Sequence, residues 1–346
     1  MPAGRLARLG ATQDFHHRLL ASGLLTLALV AAAGAPLSAY LRLTVSVRGR
    51  VTPITWGSSP VRWFSSTASA PGVTSAQFQT ALAAAFDTWE AVPTAGIAFT
   101  FAGVTPATPS EDNDGLSVMG FEAHSDLDRT LAATGFTLDT VTGAIVESDV
   151  FFNTAFPWSA SGASNGFDLQ SVATHEVGHL IGLGHSLLGE TEMEAGGRRV
   201  IAAASVMFPI AFGRGITLGR TLQPDDVAGV SVSYPAGGFA DATGSVQGRV
   251  RLGSRGLFGA HVVAFALGTG ALVGGFALND EGEFVIAGLP PGAYAIRAEP
   301  LDDAATDSFF DEPGIDTGFR VTFLDRVVAV PAGGAGPSFD VTVTPK

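Results

Sequence analysis

The first pattern in the chain is a stripe of large apolar residues at helical spacing. Successive members are four, four and three positions apart: Phe78, Leu82, Phe86 and Trp89. This spacing predicts an amphipathic helix whose four large side chains lie in the core. Thr74 or Ser75 is its expected N-cap.

Two further helices are predicted by their first residues. Asp168 is a good N-cap for a helix whose buried side carries Leu169, Val172 and Leu180. Pro224 suits the first turn of a helix that runs to about Tyr234.

Short apolar and alternating runs predict strands between these helices. They cover residues 61–64, 97–101, 116–121, 130–138 and 146–153. The run at 130–138 is expected to be the edge strand. Strands mixed with long helices predict an α+β domain.

After Tyr234 the sequence changes character. Residues 235–238, Pro-Ala-Gly-Gly, are predicted to be a flexible linker. Short β patterns with turns between them follow, as in a small all-β sandwich. They cover residues 246–250, 260–265, 271–277, 283–287, 293–298, 327–330 and 339–343. Residues 302–316 read as an acidic loop.

Composition narrows the class of protein. The 346 residues include 19 basic and 32 acidic side chains and no cysteine, and 46% of them are hydrophobic. Such a chain suits two globular domains without disulfides. The acidic balance argues against a nucleic-acid partner, because binding phosphates requires clustered lysine and arginine.

The first 39 residues are predicted to be a secretory signal peptide. Arg5, Arg8 and Arg18 supply a basic start, residues 19–33 an apolar run and residues 37–39 a small-residue cleavage site. An uncleaved membrane anchor is the alternative, although the run is shorter than the ~20 residues that a spanning helix needs. Cleavage removes three arginines and one aspartate, which leaves 16 basic and 31 acidic residues. The mature protein is expected to be secreted, acidic and not inserted in a membrane.

Residues 175–185 carry the chemistry. Their pattern is H-E-x-x-H-x-x-G-x-x-H, a zinc peptidase signature. Positions i and i+4 of a helix share one face, so His175 and His179 can offer their imidazoles to one ion. His185 is the predicted third ligand. Three neutral imidazoles leave a tetrahedral Zn²⁺ with one position open to water, and the pKa of that water falls toward ~7.

Two other residues of the motif have predicted roles. Glu176 is the expected general base, which takes the proton of the water and passes it to the leaving amine. Gly182 is expected to end the helix in a left-handed conformation that turns the chain back toward the metal. An accidental match of the five fixed positions is the alternative, at on the order of one chain in ten thousand.

A family resemblance extends beyond this motif. Residues 204–209, Ala-Ser-Val-Met-Phe-Pro, resemble the methionine turn of the metzincins. Residues 184–186, Gly-His-Ser, and residues 222–230, Leu-Gln-Pro-Asp-Asp-Val-Ala-Gly-Val, resemble the matrixins among them. The resemblance covers about Trp56 to Tyr234. It implies a metzincin catalytic domain with a twisted mixed sheet, long helices and the zinc in a cleft.

The same resemblance implies several roles for single residues. Met207 would lie beneath the imidazoles, and Asp226 would brace its turn, with a surface carboxylate at the helix N-terminus as the alternative. Ile210 and Phe212 would wall a pocket for an apolar side chain of the substrate. The edge strand would bind an extended substrate antiparallel to itself. The cysteine switch that keeps animal matrixins latent is excluded, since the chain has no cysteine.

Three weaker patterns remain open. Residues 189–199 read as an exposed loop flanking the cleft, which either shapes substrate access or is a plain insertion. Asp112 and Asp114 lie in an oxygen-rich run that suits Ca²⁺ or a solvated turn. His124 resembles one fragment of a second zinc site of the family, but a lone surface histidine fits better.

The C-terminal patterns resemble a different module. Residues 259–264, 279–284 and 288–294 resemble the carboxypeptidase regulatory-like domain, a transthyretin-like sandwich. His261 is expected to be a packed or exposed strand residue without an acidic partner. The module would bind a surface or matrix polymer, or only stabilise or space the catalytic domain.

These patterns lead to one organisation and two functions. The expected parts are a signal peptide (1–39), a short segment (40–55), a matrixin-like domain (56–235), a linker (236–243) and a β-sandwich domain (244–346). The main hypothesis is a secreted zinc endopeptidase acting on extended polypeptides. The alternative is an extracellular binding protein that uses the sandwich on a catalytically silent scaffold, and the intact Glu176 and histidines argue against it.

Overall fold

The computed structural model describes residues 6–10, 42–47, 49–110, 113–127, 129–194, 197–302 and 315–346. The predicted apolar run and cleavage site of the signal peptide lie outside these residues, as does most of the acidic loop at 302–316. Within the described parts, no helix is both long enough and apolar enough to cross a membrane.

The described residues up to 235 build a mixed sheet with helices packed against it. Their elements are β1 (Leu6–Gly10), β2 (Thr44–Val47), β3 (Arg50–Pro53), β4 (Thr55–Trp56), β5 (Val61–Ser66), α1 (Ser75–Glu90), β6 (Phe99–Thr105), β7 (Val118–Glu122), β8 (Ala132–Asp139), β9 (Ala144–Asn153), β10 (Trp158–Ser159), β11 (Phe167–Asp168), α2 (Leu169–Leu180), β12 (Gly189–Glu194), β13 (Gly197–Ala203), a 3₁₀ turn (Leu218–Arg220) and α3 (Pro224–Ser233). The predicted strands and helices are present, although strands predominate and only α1 is long.

The main sheet has the order β1-β8-β9-β7-β5-β6, and β4 also pairs with β9. Strands β6, β5, β7 and β9 run parallel to one another, whereas β8 is antiparallel to β9. The prediction that residues 130–138 form the edge strand is wrong for part of β8. Its residues 135–139 pair with β1, which lies antiparallel on the outer side.

Helix α1 forms as its apolar stripe predicts. Thr74 is the N-cap, and its side chain and that of Gln77 form a reciprocal capping box. The four predicted core side chains are at most 2% exposed. Phe86 stacks on Trp63 of β5 with ring centroids 4.5 Å apart, and the Trp89 indole N–H donates to the carbonyl of Thr174 in α2 at 2.8 Å. The helix therefore ties α2 to the sheet.

Both ends of α2 are held by side chains. At the start, the Asp168 carboxylate accepts from the Ser171 backbone N–H at 2.9 Å and from the guanidinium of Arg220 at 2.5 and 2.9 Å. At the end, the Trp56 indole donates to the Leu180 carbonyl and the Tyr234 hydroxyl to the Ile181 carbonyl. These donors satisfy carbonyls that have no partner within the helix.

The short segment before β4 lies against the turn that follows α2. Strands β2 and β3 pair as a hairpin. The Leu43 N–H donates to the Gly182 carbonyl at 3.0 Å, and the Ile54 N–H donates to the Leu43 carbonyl at 2.9 Å. Ile54 is 1% exposed. This segment is therefore a structural part of the N-terminal half.

The described residues of 189–199, predicted to be a loop, belong to two paired strands. Strands β12 and β13 pair antiparallel with an irregularity between Glu190 and Thr191. The glycine- and charge-rich composition of these strands gives no apolar pattern from which the pairing could be predicted. A cavity of about 370 Å³ lies between the base of this strand pair and the C-terminal half, lined among others by Leu188, Ala203, His261 and Glu299.

The C-terminal half contains two sheets. Its elements are α4 (Phe239–Ala242), β14 (Gly244–Leu252), β15 (Arg255–Gly256), β16 (Ala260–Ala266), β17 (Leu272–Ala277), β18 (Glu283–Leu289), β19 (Gly292–Glu299), β20 (Thr322–Phe323), β21 (Val328–Val330) and β22 (Gly334–Val343). One sheet has the order β15-β14-β18 with β22 on β14, and the other has the order β17-β16-β19-β20 with β21 on β19. All seven strands predicted after Tyr234 are present.

Two predictions for this half need correction. The Ala236 N–H donates to the Thr94 carbonyl and the Gly96 N–H to the Tyr234 carbonyl, and α4 follows, so the predicted flexible linker is tied down. His261 is buried and its Nδ1 lies 2.9 Å from Glu299. The two residues are far apart in sequence but directly opposite each other on β16 and β19.

The Asp168–Arg220 pair gives a testable prediction. Burial raises the pKa of Asp168, but the hydrogen bonds from Arg220 and Ser171 outweigh it and hold the pKa below the ordinary value. Arg220→Met should therefore lower the free energy of unfolding by about 1–3 kcal/mol at pH 7. A lowered carboxyl pKa stabilises the fold above the unfolded pKa of ~3.9, so the difference should shrink as the pH falls below that value.

Urea unfolding at pH 7 and at pH 3.5 measures this difference. The matched control is Arg326→Met, since Arg326 and its partner Asp325 are largely exposed. An Arg220 variant as stable as that control at pH 7 would contradict the prediction.

Candidate metal centre

Three histidines meet at the C-terminal end of α2. His175 and His179 lie one turn apart on the helix, and His185 returns toward them after the chain reverses. Their ring centroids are 4.7, 5.3 and 4.6 Å apart, and one nitrogen from each ring lies within 4.8 Å of the others. Within the described residues this is the group of three ligating side chains that could hold a metal ion.

The imidazoles have the orientation and spacing that zinc requires. Nδ1 of His175 lies 2.7 Å from the Val206 carbonyl and Nδ1 of His179 lies 2.8 Å from the Leu183 carbonyl. A proton on Nδ1 leaves the Nε2 lone pair for a metal. Nε2 of His179 and Nε2 of His185 are 3.0 Å apart, close to the ~3.3 Å between two nitrogens bound to one tetrahedral zinc. The donor set therefore fits this ion.

Burial keeps the three rings neutral. It lowers the pKa of His175, and together with the neighbouring His175 it lowers the pKa of His179 to about 3. The pKa of His185 lies well below its ordinary value for the same reasons. Neutral imidazole is the form that binds a metal, so the site needs no deprotonation at neutral pH.

Gly182 makes the reversal after α2 as the sequence predicts. Its φ is +88°, and a Cβ at this position would overlap the Ile54 carbonyl oxygen. Glycine is therefore required by both conformation and space. The turn carries His185 back to the other two histidines.

Glu176 lies beside the histidines, buried to 5% exposure. The Thr134 hydroxyl in β8 lies 2.6 Å from its Oε2. Burial raises the pKa of this carboxyl to about 7, and the bond to Thr134 lowers it in part. Sequence reasoning missed Thr134, because nothing in a strand pattern tells which side chain faces α2.

Met207 packs under α2, in space that is open because residue 178 is glycine. Met207 is 3% exposed. A Cβ on Gly178 would overlap Met207 Sδ and would lie 2.9 Å from Cζ2 of Trp89. The variable position before His179 is thus constrained in this chain, and the motif alone gives no sign of it.

The Asp226 carboxylate holds the turn that contains Met207. It accepts from Ser205 Oγ at 2.5 Å and from the backbone N–H groups of Val206 and Met207 at 2.9 and 3.2 Å. It also accepts from the Gln223 N–H at 2.8 Å. Both Asp225 and Asp226 are 2% exposed, so neither is a surface carboxylate of the helix N-terminus.

The other predicted site residues are not joined to this centre by any described contact. Ile210 and Phe212 are half-buried, and their role as a substrate pocket stays a prediction. Asp112 lies outside the described residues, while Asp114 is exposed and accepts from the Leu116 N–H, as in a turn. His124 is half-buried beside Glu122 at 3.0 Å.

Thr134 should control the protonation of Glu176. Thr134→Val keeps the shape of the side chain but removes the O–H donor, so the pKa of the Glu176 carboxyl should rise above about 7. A ¹³C NMR titration of glutamate carboxyls in metal-free protein measures it. Thr134→Ser should retain the original value, and an unchanged pKa in the valine variant would refute the assignment.

Gly178 and Met207 should be coupled. Gly178→Ala forces the sulfur of Met207 out of place and should lower the free energy of unfolding by about 1–3 kcal/mol. In the Met207→Ala background only the close contact with Trp89 remains, so the same change should have a smaller effect. A double-mutant cycle of urea unfolding measures the coupling. Equal effects in both backgrounds would show that the two residues do not compete for space.

Two comparisons with known proteins concern this part of the chain. Residues 55–195 match the family model for matrixin, Peptidase M10. A stretch of 89 residues is 37% identical to Metalloendoproteinase 2-MMP of Arabidopsis thaliana. That alignment covers 23% of this chain and 18% of the relative, so it spans less than a fifth of the relative's length. The two findings support a matrixin-like metallopeptidase domain, and its histidine triad could bind the zinc that matrixins use.

Proposed function

We propose that this protein is a secreted zinc-dependent endopeptidase that hydrolyses extended polypeptides. The observation that carries the proposal is the joint placement of three neutral imidazoles, one buried and two half-buried, and the buried carboxylate of Glu176 on α2 and the turn after it. The matrixin match over residues 55–195 supports the same class. We infer secretion from the predicted signal peptide.

The roles of the residues follow from their positions. His175, His179 and His185 would hold the ion, which supplies Lewis acidity at the scissile carbonyl and lowers the pKa of the attacking water. Glu176 would accept the proton of that water and deliver it to the leaving amine. The Thr134 hydroxyl would keep one carboxylate oxygen in place while the other faces the water.

Strand β8 is the proposed site for the substrate main chain. It carries Thr134 beside Glu176 and so passes close to the centre. In the full chain β1 pairs with the outer side of residues 135–139. Cleavage of the predicted signal peptide would remove β1 and leave unpaired backbone groups, to which an extended polypeptide could add as a strand. The proposed mechanism uses no residue of the C-terminal half.

The first test of this proposal is metal content measured together with activity. Purified residues 40–346 should contain about one zinc per chain, judged from the single triad, and should cleave a quenched, unstructured protein substrate. A chelator should abolish cleavage and added zinc should restore it. Bound zinc without any cleavage would reject the endopeptidase and favour a binding protein on a silent scaffold.

Replacement of Glu176 tests the mechanism. Glu176→Ala should retain zinc, because the three imidazoles are unchanged, but should lower kcat by at least about 10³-fold, within the range of general acid–base catalysis. His179→Ala is the matched comparison and should lose zinc as well as activity. Metal analysis and kcat of the two purified variants separate the roles, and substantial activity in the Glu176 variant would exclude it as the base.

A further inference from the structure

The buried carboxylate of Asp225 connects the two halves of the protein. Asp225 is in the first turn of α3 and is 2% exposed. Its Oδ1 accepts a hydrogen bond from the backbone N–H of Gly274, in β17 of the C-terminal half, at 2.9 Å. Strand β17 is the outer strand of its sheet and pairs with β16 on its other side. Asp225 therefore satisfies a backbone donor that the sheet leaves unpaired.

The other contacts of Asp225 lead to the metal centre. The side chains of Ser186 and Ser205 lie near it and lower the pKa of its carboxyl. Ser186 follows His185, and its N–H donates to the Met207 carbonyl at 2.9 Å. Ser205 also donates to Asp226, which binds the N–H of Val206. The carbonyl of Val206 in turn lies 2.7 Å from Nδ1 of His175.

Apolar packing fixes the same junction. A Cβ added to Gly288 at the end of β18 would lie 3.2 Å from Val232 and 3.4 Å from Ala228, both in α3. One cluster of buried side chains includes Ala228 and Val230 of α3 and Leu289 of β18. The C-terminal half is thus also packed on the helix that carries Asp225, through apolar contacts separate from the hydrogen bond to Gly274.

Gly274 also has no room for change. A Cβ at this position would lie 2.8 Å from Nε2 of His261 and 3.5 Å from Leu188. Glycine is therefore needed at this position of β17, because the His261 ring occupies the space of a side chain. Leu188 lies three residues after His185, so β17 contacts the segment that carries the third histidine as well as Asp225.

We propose that Asp225 is a positioning residue for the metal centre and that β17 of the C-terminal half holds it in place. The C-terminal half is then a part of the catalytic unit rather than a separable module. This inference rests on the proposed function, since it concerns the ligands of the same site. Burial and the neighbouring Asp226 raise the pKa of the Asp225 carboxyl to about 7, and the Gly274 N–H and the two nearby serines lower it in part.

Variants of the full-length protein test the inference. Asp225→Ala removes the acceptor for the Gly274 N–H. Val232→Ala is the matched control, because it loosens the apolar junction and leaves every hydrogen bond of Asp225 intact. Asp225→Asn is the conservative variant, since its amide oxygen can still accept from Gly274.

Three readouts separate positioning from plain stability. They are the rate of zinc release to a chelator, the absorption spectrum of the cobalt-substituted protein, and kcat against KM. We expect Asp225→Ala to release zinc at least about 10-fold faster, to alter the cobalt spectrum and to lower kcat about 10-fold with KM within two-fold. Asp225→Asn should show smaller changes, with zinc release about three-fold faster. Val232→Ala should lower the melting temperature but leave all three readouts within two-fold of wild type.

Two outcomes overturn the inference. One is an Asp225→Ala protein that matches Val232→Ala in zinc release, cobalt spectrum and kcat. The other applies if Asp225→Ala does not fold: an Asp225→Asn protein that matches Val232→Ala in the same three readouts. Should the wild type bind zinc but cleave no polypeptide, the proposed function fails, while zinc release and the cobalt spectrum still decide the role of Asp225.

Discussion

The rest of the site depends on the buried carboxylate of Asp226. Four donors converge on it, and three of them come from residues 205–207. Without an acceptor at this point those backbone N–H groups would be buried without partners, which costs about 1–3 kcal/mol each. With it, the turn is fixed, the Val206 carbonyl points at His175, and Met207 lies against Gly178. The Asp226 carboxylate thus fixes both the orientation of His175 and the position of Met207 beneath the histidines.

Helix α2 is the second fixed element, and it is held from several directions. Arg220 and Asp168 hold its start, Trp89 of α1 binds a carbonyl in its middle, and Trp56 and Tyr234 bind carbonyls at its end. These partners come from widely separated parts of the chain. A helix of 12 residues would be marginal on its own, so these contacts give it the rigidity that a ligand pair requires.

The sequence predicted those features that depend on neighbours along the chain. Helix α1 with its cap and core, the N-cap Asp168, the left-handed Gly182 and the histidine spacing follow from local periodicity and backbone preference. The features that it did not predict depend on partners far apart in the chain. Thr134 meets Glu176, Asp225 meets Gly274 and His261 meets Glu299 only because strands and helices bring them together. The strand pair within 189–203 was missed because its register comes from pairing rather than from an apolar pattern.

The contact of Leu43 and Ile54 with the turn at Gly182 affects the order of folding. Leu43 and Ile54 precede Gly182 by more than one hundred residues, so this contact closes a long loop. Contacts of such separation form slowly, because loop closure must come before their gain. The centre also needs Val206 and Asp226, which come later still. A growing chain therefore completes its three-histidine site late, and metal uptake is expected to follow the assembly of the domain rather than to start it.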